Sequence, residues 1–283
     1  MPWEVVFVKH EEGFMSGYDG TKLYYQVWKP DGESKAVVVV VHGLVEHSGR
    51  YMNVVNQLVP KGYAVYALDH RGHGKSEGER AHVKSFDEFV EDLKLFVDLV
   101  KNKEKRKKLF MLGHSMGSLI TLLFMAKYPE GVSGVVLSGT GARPGKISPV
   151  VKALLSFIAK VAPKAKFALP WDPSFISRDE KVVEAYVNDP LVSKKASARL
   201  LAEVYYSTFR AAKEAAKISV PCLIQVGSAD VAFDPESREE LYNIIPAKDK
   251  VLNVYEGYRH EVYNEVRKEK PLQDLEEWLE KHL

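Results

Sequence analysis

Cysteine is almost absent from this 283-residue chain, with Cys222 the single one. One thiol excludes an internal disulfide and a thiolate metal cluster, so a reducing, cytoplasmic setting is the expectation. Charge of one sign is lacking as well: 40 Lys+Arg stand against 38 Asp+Glu, a formal net charge of +2. Without a one-signed field or a basic run interleaved with aromatics, nucleic acid is excluded as a partner. Long apolar runs are missing too. The longest, residues 36–41, falls far short of the ~20 residues of a membrane-spanning helix. The first residues, MPWEVVFVKHEEG, carry no basic start and no apolar stretch leading to a small-residue cleavage site. Glutamine is scarce beside abundant Lys and Glu, a bias of heat-adapted proteins. What is present is an ordinary globular composition, 46% hydrophobic and 28% charged, at a length that suits one large α/β domain with an insertion.

Two β-rich stretches, 4–14 and 22–28, flank an Asp-Gly turn signal at 18–20 and read as edge strands. The run 36–41 is β-branched without polar alternation, the pattern of a strand covered on both faces. Similar strands follow at 63–68, 109–112 and 135–137, separated by helical patterns at 51–59, 86–100 and 116–127. Strand and helix in alternation predict a mostly parallel sheet with helices on both faces. The rhythm breaks at residues 140–219, where no strand is predicted, and resumes with strand 222–226, helix 235–245, strand 251–255 and helix 272–282. The segments 1–139 and 220–283 therefore form one core, and 140–219 is a helical insertion.

Residues 113–117 read Gly-His-Ser-Met-Gly between a predicted strand and a predicted helix. A nucleophile elbow requires that context: the serine takes a strained turn conformation, and the flanking glycines leave no Cβ to clash. Ser115 is the candidate nucleophile, and a serine hydroxyl needs a base that is itself oriented by an acid. Asp230 follows strand 222–226 directly, whereas its rival Asp234 precedes Pro235 and is better explained as a helix cap. His260 follows the last strand; His282 lies inside the terminal helix, and the other histidines precede the serine. The order Ser115, Asp230, His260 is the one this architecture uses. An oxyanion needs two donors, for which the Met116 N–H at the helix start and the Leu44 N–H after strand 36–41 are the candidates. Gly43 as a mere strand terminator is the plain alternative.

The blocks HGLVEHSGRY (42–51), LDHRGHGKSEGER (68–80), LGHSMGS (112–118), GSAD (227–230) and YEGYRHEVYNE (255–265) closely resemble monoacylglycerol lipases and the related lysophospholipases of the α/β-hydrolase superfamily. The resemblance implies the α/β-hydrolase fold with segment 140–219 as a cap over the site, and the same triad and oxyanion residues. It further implies a lipid carboxylic ester as substrate, most naturally a monoacylglycerol, cleaved through an acyl-enzyme without metal or organic cofactor. A lysophospholipase or a general carboxylesterase is the alternative. Glu46 and Arg50 resemble the polar residues at the glycerol end, with Tyr263 beside them, although Glu46 and Arg50 equally fit a structural ion pair. Arg71, in the turn-rich block, is assigned a bracing role. Ser118 stands where relatives commonly carry glycine, and cysteines found near the site in some relatives are missing.

In the insertion, Ser148 and Pro149 mark a helix start, and 150–161 confines its polar residues Lys152, Ser156 and Lys160 to one stripe. So wide an apolar face has to be buried in protein, around a ligand or in a lipid surface. An acyl tunnel lined by Leu154, Phe157 and Ile158 is one outcome, a contact between helices the other. Residues 143–171 hold Lys146, Lys152, Lys160, Lys164 and Lys166 and no acid. Peripheral docking of the cap on anionic lipid and a solvated basic face are both compatible with that pattern.

Overall fold

A computed structural model describes residues 9–169 and 171–283. The central sheet contains eight strands: β1 (Lys9–Ser16), β2 (Lys22–Lys29), β3 (Ala36–Val41), β4 (Tyr63–Leu68), β5 (Lys108–His114), β6 (Gly134–Ser138), β9 (Cys222–Gly227) and β10 (Lys250–Tyr255). Their order is β1-β2-β4-β3-β5-β6-β9-β10, with β1 and β2 antiparallel additions to an otherwise parallel sheet. The remaining strands, β7 (Lys166–Ala168) and β8 (Lys195–Ser197), form an antiparallel ribbon of their own inside the insertion. That ribbon departs from the expectation of a strandless insertion, because three-residue strands are too short to show periodicity. The predicted first strand lies partly outside the described residues, and the part within them belongs to β1.

β3 shows why its run reads as continuously apolar. Val37, Val39 and Val41 pack with α2 (Asp87–Lys103) and α3 (Met116–Lys127) on one face. Ala36, Val38 and Val40 pack with α1 (Met52–Leu58) and α8 (Glu269–Lys281) on the other. With side chains alternating sides, a strand covered twice has no polar position to spare. Burying each valine contributes roughly 1.5–3 kcal/mol relative to exposure. α3 is buried almost all round, from Met116 to Met125, as a helix apolar on every side must be.

Between β6 and β9 lie α4 (Pro149–Val161), α5 (Glu180–Asn188) and α6 (Ala198–Glu214), and α7 (Ser237–Ile244) follows β9. Ser148 and Ser197 cap α4 and α6 with their side chains. α6 packs on α3, and Leu200, Ala211 and Ala212 join the same apolar cluster as the sheet. The insertion is thus divided: α6 extends the core, while α4 rests on α6 through Ala159, Leu155 and Ile158. Among the described residues no helix is long and apolar enough to cross a membrane.

Candidate active site

Ser115 sits between β5 and α3 at φ 52°, ψ −121°, a backbone region costing a non-glycine residue about 1–3 kcal/mol. The surroundings hold it there: its N–H donates to the Ser138 carbonyl at 2.9 Å, and its own carbonyl accepts from the Ser118 N–H at 2.9 Å and the Ser118 hydroxyl at 2.6 Å. Ser118 is therefore a brace for the elbow, bonded also to Thr140 at 2.7 Å. Gly117 has no alternative, since a Cβ there would stand 1.9 Å from the Val41 carbonyl oxygen.

Asp230 and His260 arrive from the loops after β9 and β10. The His260 Nδ1–H donates to Asp230 Oδ2 at 2.8 Å, and Asp230 Oδ1 accepts from the Ala232 N–H at 2.9 Å. Both side chains are buried. Burial pulls the His260 pKa down, but the charge and hydrogen bond of Asp230 outweigh it and hold the imidazole above its ordinary value. Burial likewise opposes ionisation of Asp230, and His260 overcomes it to keep that carboxyl below its usual range. Phe175 and Phe233 flank the imidazole, with ring centroids 5.4 and 6.5 Å away. Asp234 instead accepts from the Glu236 N–H at 3.1 Å, ahead of α7. It caps the approach to that helix, which starts slightly later than predicted. His282 bonds the Trp278 carbonyl, away from the site.

Leu44 and Met116 line the same cavity as Ser115 and His260. The peptide unit carrying the Leu44 N–H is fixed through its carbonyl, that of Gly43, which lies 2.8 Å from His42 Nδ1. His42 Nε2 receives the His70 backbone N–H at 2.9 Å. A backbone N–H only donates, so Nε2 is the acceptor and Nδ1 carries the proton given to Gly43. Arg71 braces the neighbouring loop, forking onto Asp92 at 2.7 and 2.8 Å and reaching Asp19 at 3.0 and 3.1 Å.

Glu46 and Arg50 are at once an ion pair and part of the cavity wall. Arg50 Nη1 donates to Glu46 Oε2 at 2.8 Å and to Glu261 Oε1 at 2.6 Å, and Nη2 donates to Glu261 Oε2 at 2.8 Å. Its guanidinium lies 4.7 Å from the centroid of the Tyr186 ring of α5. Glu261 was not singled out in the sequence, although it directly follows His260. Its signal is a partner 211 residues away, visible only in the fold. Burial opposes its ionisation, and Arg50 nonetheless holds its carboxyl well below the usual range.

The cavity, of about 630 Å³, runs from these groups beneath α4 and α6. α4 contributes Val151, Leu154, Leu155 and Ile158, and α6 contributes Leu201, Val204 and Tyr205. One expectation requires correction. Phe157 is not among the lining residues and is 62% exposed: positions 151, 154, 155 and 158 share the inner helical face, while 150, 157 and 161 share the next one. Tyr263, expected beside Glu46 and Arg50, lines with them a second, small pocket rather than the main cavity. It is buried in the cluster under α1 and α8, and its hydroxyl donates to Gln225. The basic segment is less free than its sequence implies, since Glu79 pairs with Lys164 and the Arg80 carbonyl accepts from Lys166.

Residues 32–267 match the family model described as serine aminopeptidase, S33. A monoacylglycerol lipase of Mycolicibacterium smegmatis is 36% identical over 96% of this chain and 98% of its own. The human monoglyceride lipase is 34% identical over 88% of this chain and 82% of its own. The crystal structure of a Paleococcus ferrophilus monoacylglycerol lipase is 31% identical, with a TM-score of 0.79 over 98% of this chain and 100% of that one. The chain belongs to the serine aminopeptidase, S33, family of α/β-hydrolases and is a serine ester hydrolase.

Proposed function

We propose that this chain hydrolyses monoacylglycerols to fatty acid and glycerol. The observation that carries the reading is a single cavity in which Ser115 and His260 meet charged residues on the catalytic loops and apolar residues from the cap helices. A long acyl chain and a polar alcohol need those two surroundings together. The relatives named monoacylglycerol and monoglyceride lipase support the same substrate class.

In the mechanism that follows, His260 takes the Ser115 proton as Oγ attacks the ester carbonyl, and the Leu44 and Met116 N–H groups receive the oxyanion. Collapse breaks the bond to the alcohol oxygen, to which the His260 imidazolium returns the proton, releasing glycerol. Water, deprotonated by His260, then attacks the Ser115 ester and frees the fatty acid. Asp230 holds the imidazole in the required tautomer throughout. Segment 140–219 acts as the cap. Its α4 turns Val150, Phe157 and Val161 to solvent, at 76%, 62% and 63% exposure, beside Lys146, Lys152 and Lys160. This combination suits peripheral docking on anionic lipid at the inner side of a membrane.

Fatty-acid release from a chain-length series of monoacylglycerols, compared between the wild type and Ser115→Ala, tests the substrate. Turnover with a chain-length optimum that vanishes in the variant is expected; silence on the whole series would overturn the reading. Cosedimentation with anionic vesicles tests docking, which fails if no salt-sensitive binding occurs.

A further inference from the structure

We infer that the alcohol side of the site selects uncharged leaving groups, so that the enzyme cleaves acyl esters of neutral polyols and rejects the corresponding phosphate-bearing esters. The inference rests on the monoacylglycerol reading and narrows it, because an acyl triad by itself serves glycerol esters and lysophospholipids alike.

An arginine in a lipase cavity invites the opposite conclusion, since a guanidinium is a natural phosphate receptor. Here its charge is already matched, and three of its five N–H donors are taken. Arg50 is divided between Glu46 and Glu261 by three hydrogen bonds of 2.6–2.8 Å, and the Tyr186 ring covers it. The carboxylates are themselves locked in place. Glu46 Oε1 accepts from the Gly43 N–H at 2.6 Å and the Tyr51 hydroxyl at 2.8 Å, and Glu261 Oε2 accepts from Asn264 Nδ2 at 2.8 Å. Every oxygen of the pair accepts from a donor, as ionised carboxylates do. One guanidinium against two carboxylates leaves the buried cluster with one net negative charge.

The cluster lies beside the chemistry. A Cβ on Gly43 would stand 2.8 Å from Glu46 Oε1 and 3.2 Å from Ser115 Cβ, and Glu261 follows the catalytic base in the chain. Burial and the neighbouring His260 keep His114 neutral, with its pKa pulled down to about 4, so it adds no compensating charge. Among the described residues lining the cavity, the other fixed cation is Lys146, which is exposed on the approach to α4 among the apolar residues. A dianionic phosphate on the leaving alcohol would meet a cluster of net like charge at low dielectric, beside a guanidinium already paired with two carboxylates. A hydroxyl meets carboxylate oxygens to which it can donate.

The test uses octanoyl esters kept below their micelle concentration: 1-octanoylglycerol, 1-octanoylglycerol 3-phosphate, and p-nitrophenyl octanoate as a reporter of the acylation machinery alone. The wild type is expected to favour the glycerol ester over its phosphate by at least about a hundredfold in kcat/KM. Glu261→Gln brings the cluster to neutrality, and the ratio is expected to narrow about tenfold whatever the change on the p-nitrophenyl ester. Comparable wild-type rates on the two glycerol esters would overturn the inference and leave the monoacylglycerol reading standing, a result that requires no variant to fold. An unchanged ratio in folded Glu261→Gln would remove the cluster as its cause. Hydrolysis of the p-nitrophenyl ester with neither glycerol ester cleaved would overturn both readings.

Discussion

Around the triad, nearly every polar atom is bonded and nearly every side chain is buried. In α4, across the same cavity, only Ala159 is fully buried and five large apolar residues are exposed. The first region is fixed by the parallel sheet, whose strands end at one edge and whose bulk holds a strained serine and two interior carboxylates. The second is held mainly through α6, which alone of α4, α5 and α6 contributes to the main core. Strain and buried charge persist only where the surroundings over-determine them, whereas a surface that takes up varied acyl chains gains from looser packing. On the proposed function, reaction and leaving-group choice belong to the sheet edge, and acyl choice to α4 and α6.

Substitutions at the sheet edge are expected to act on turnover and those in the cap on chain length. The largest effect is expected from Ser115→Ala, a fall of about 10⁴ to 10⁶ in kcat with an unchanged melting temperature; covalent labelling by an organophosphorus ester, lost in the variant, checks the assignment. Asp230→Asn is expected to lower kcat by about 10⁴, because the imidazole loses its tautomer. It also makes a pH prediction. The neutral imidazole is the base, so kcat/KM falls as pH drops through the His260 pKa, and Asp230 places that limb above the ordinary value of 6.5. In Asp230→Asn the residual activity should persist to lower pH; an unmoved limb in the pH profile would break the assignment.

Next in size, Leu93→Ala, in the α2 layer of the core, is expected to cost about 2–5 kcal/mol in denaturant unfolding. Leu154→Ala, at the cavity mouth, should cost under about 1 kcal/mol, as expected for an exposed site. Equal costs would erase the contrast between the two regions. Ile158→Phe is expected to shift the preferred acyl chain by several carbons toward shorter esters while leaving p-nitrophenyl acetate turnover within about twofold. The smallest effect on chemistry is expected from Phe157→Ala: unchanged hydrolysis of monomeric esters but weaker cosedimentation with anionic vesicles.

Much of this architecture was legible in the chain. The β-branched runs named the inner strands, because a twice-covered strand tolerates no polar residue, and the glycines of 113–117 marked the strained turn at Ser115, because nothing larger fits at Gly117 beside Val41. The ribbon of β7 and β8 was hidden by its shortness. Phe157 was placed wrongly for a related reason: spacing says which residues share a face, but not how a helix is rotated against its neighbours. Glu261 was missed although it adjoins His260, since nothing local marks it as Arg50's partner.

The sequence by itself determined the alternation of strand and helix, the strained serine at its turn and the order of acid and base, because each depends on local sterics and short-range periodicity. Only the tertiary structure decided which carboxylates pair with Arg50, which face of α4 lines the cavity and that α6 joins the main core while α4 rests on α6. Those outcomes depend on contacts between residues far apart in the chain, where the competition among burial, charge pairing and packing is settled only once the sheet has brought the loops together.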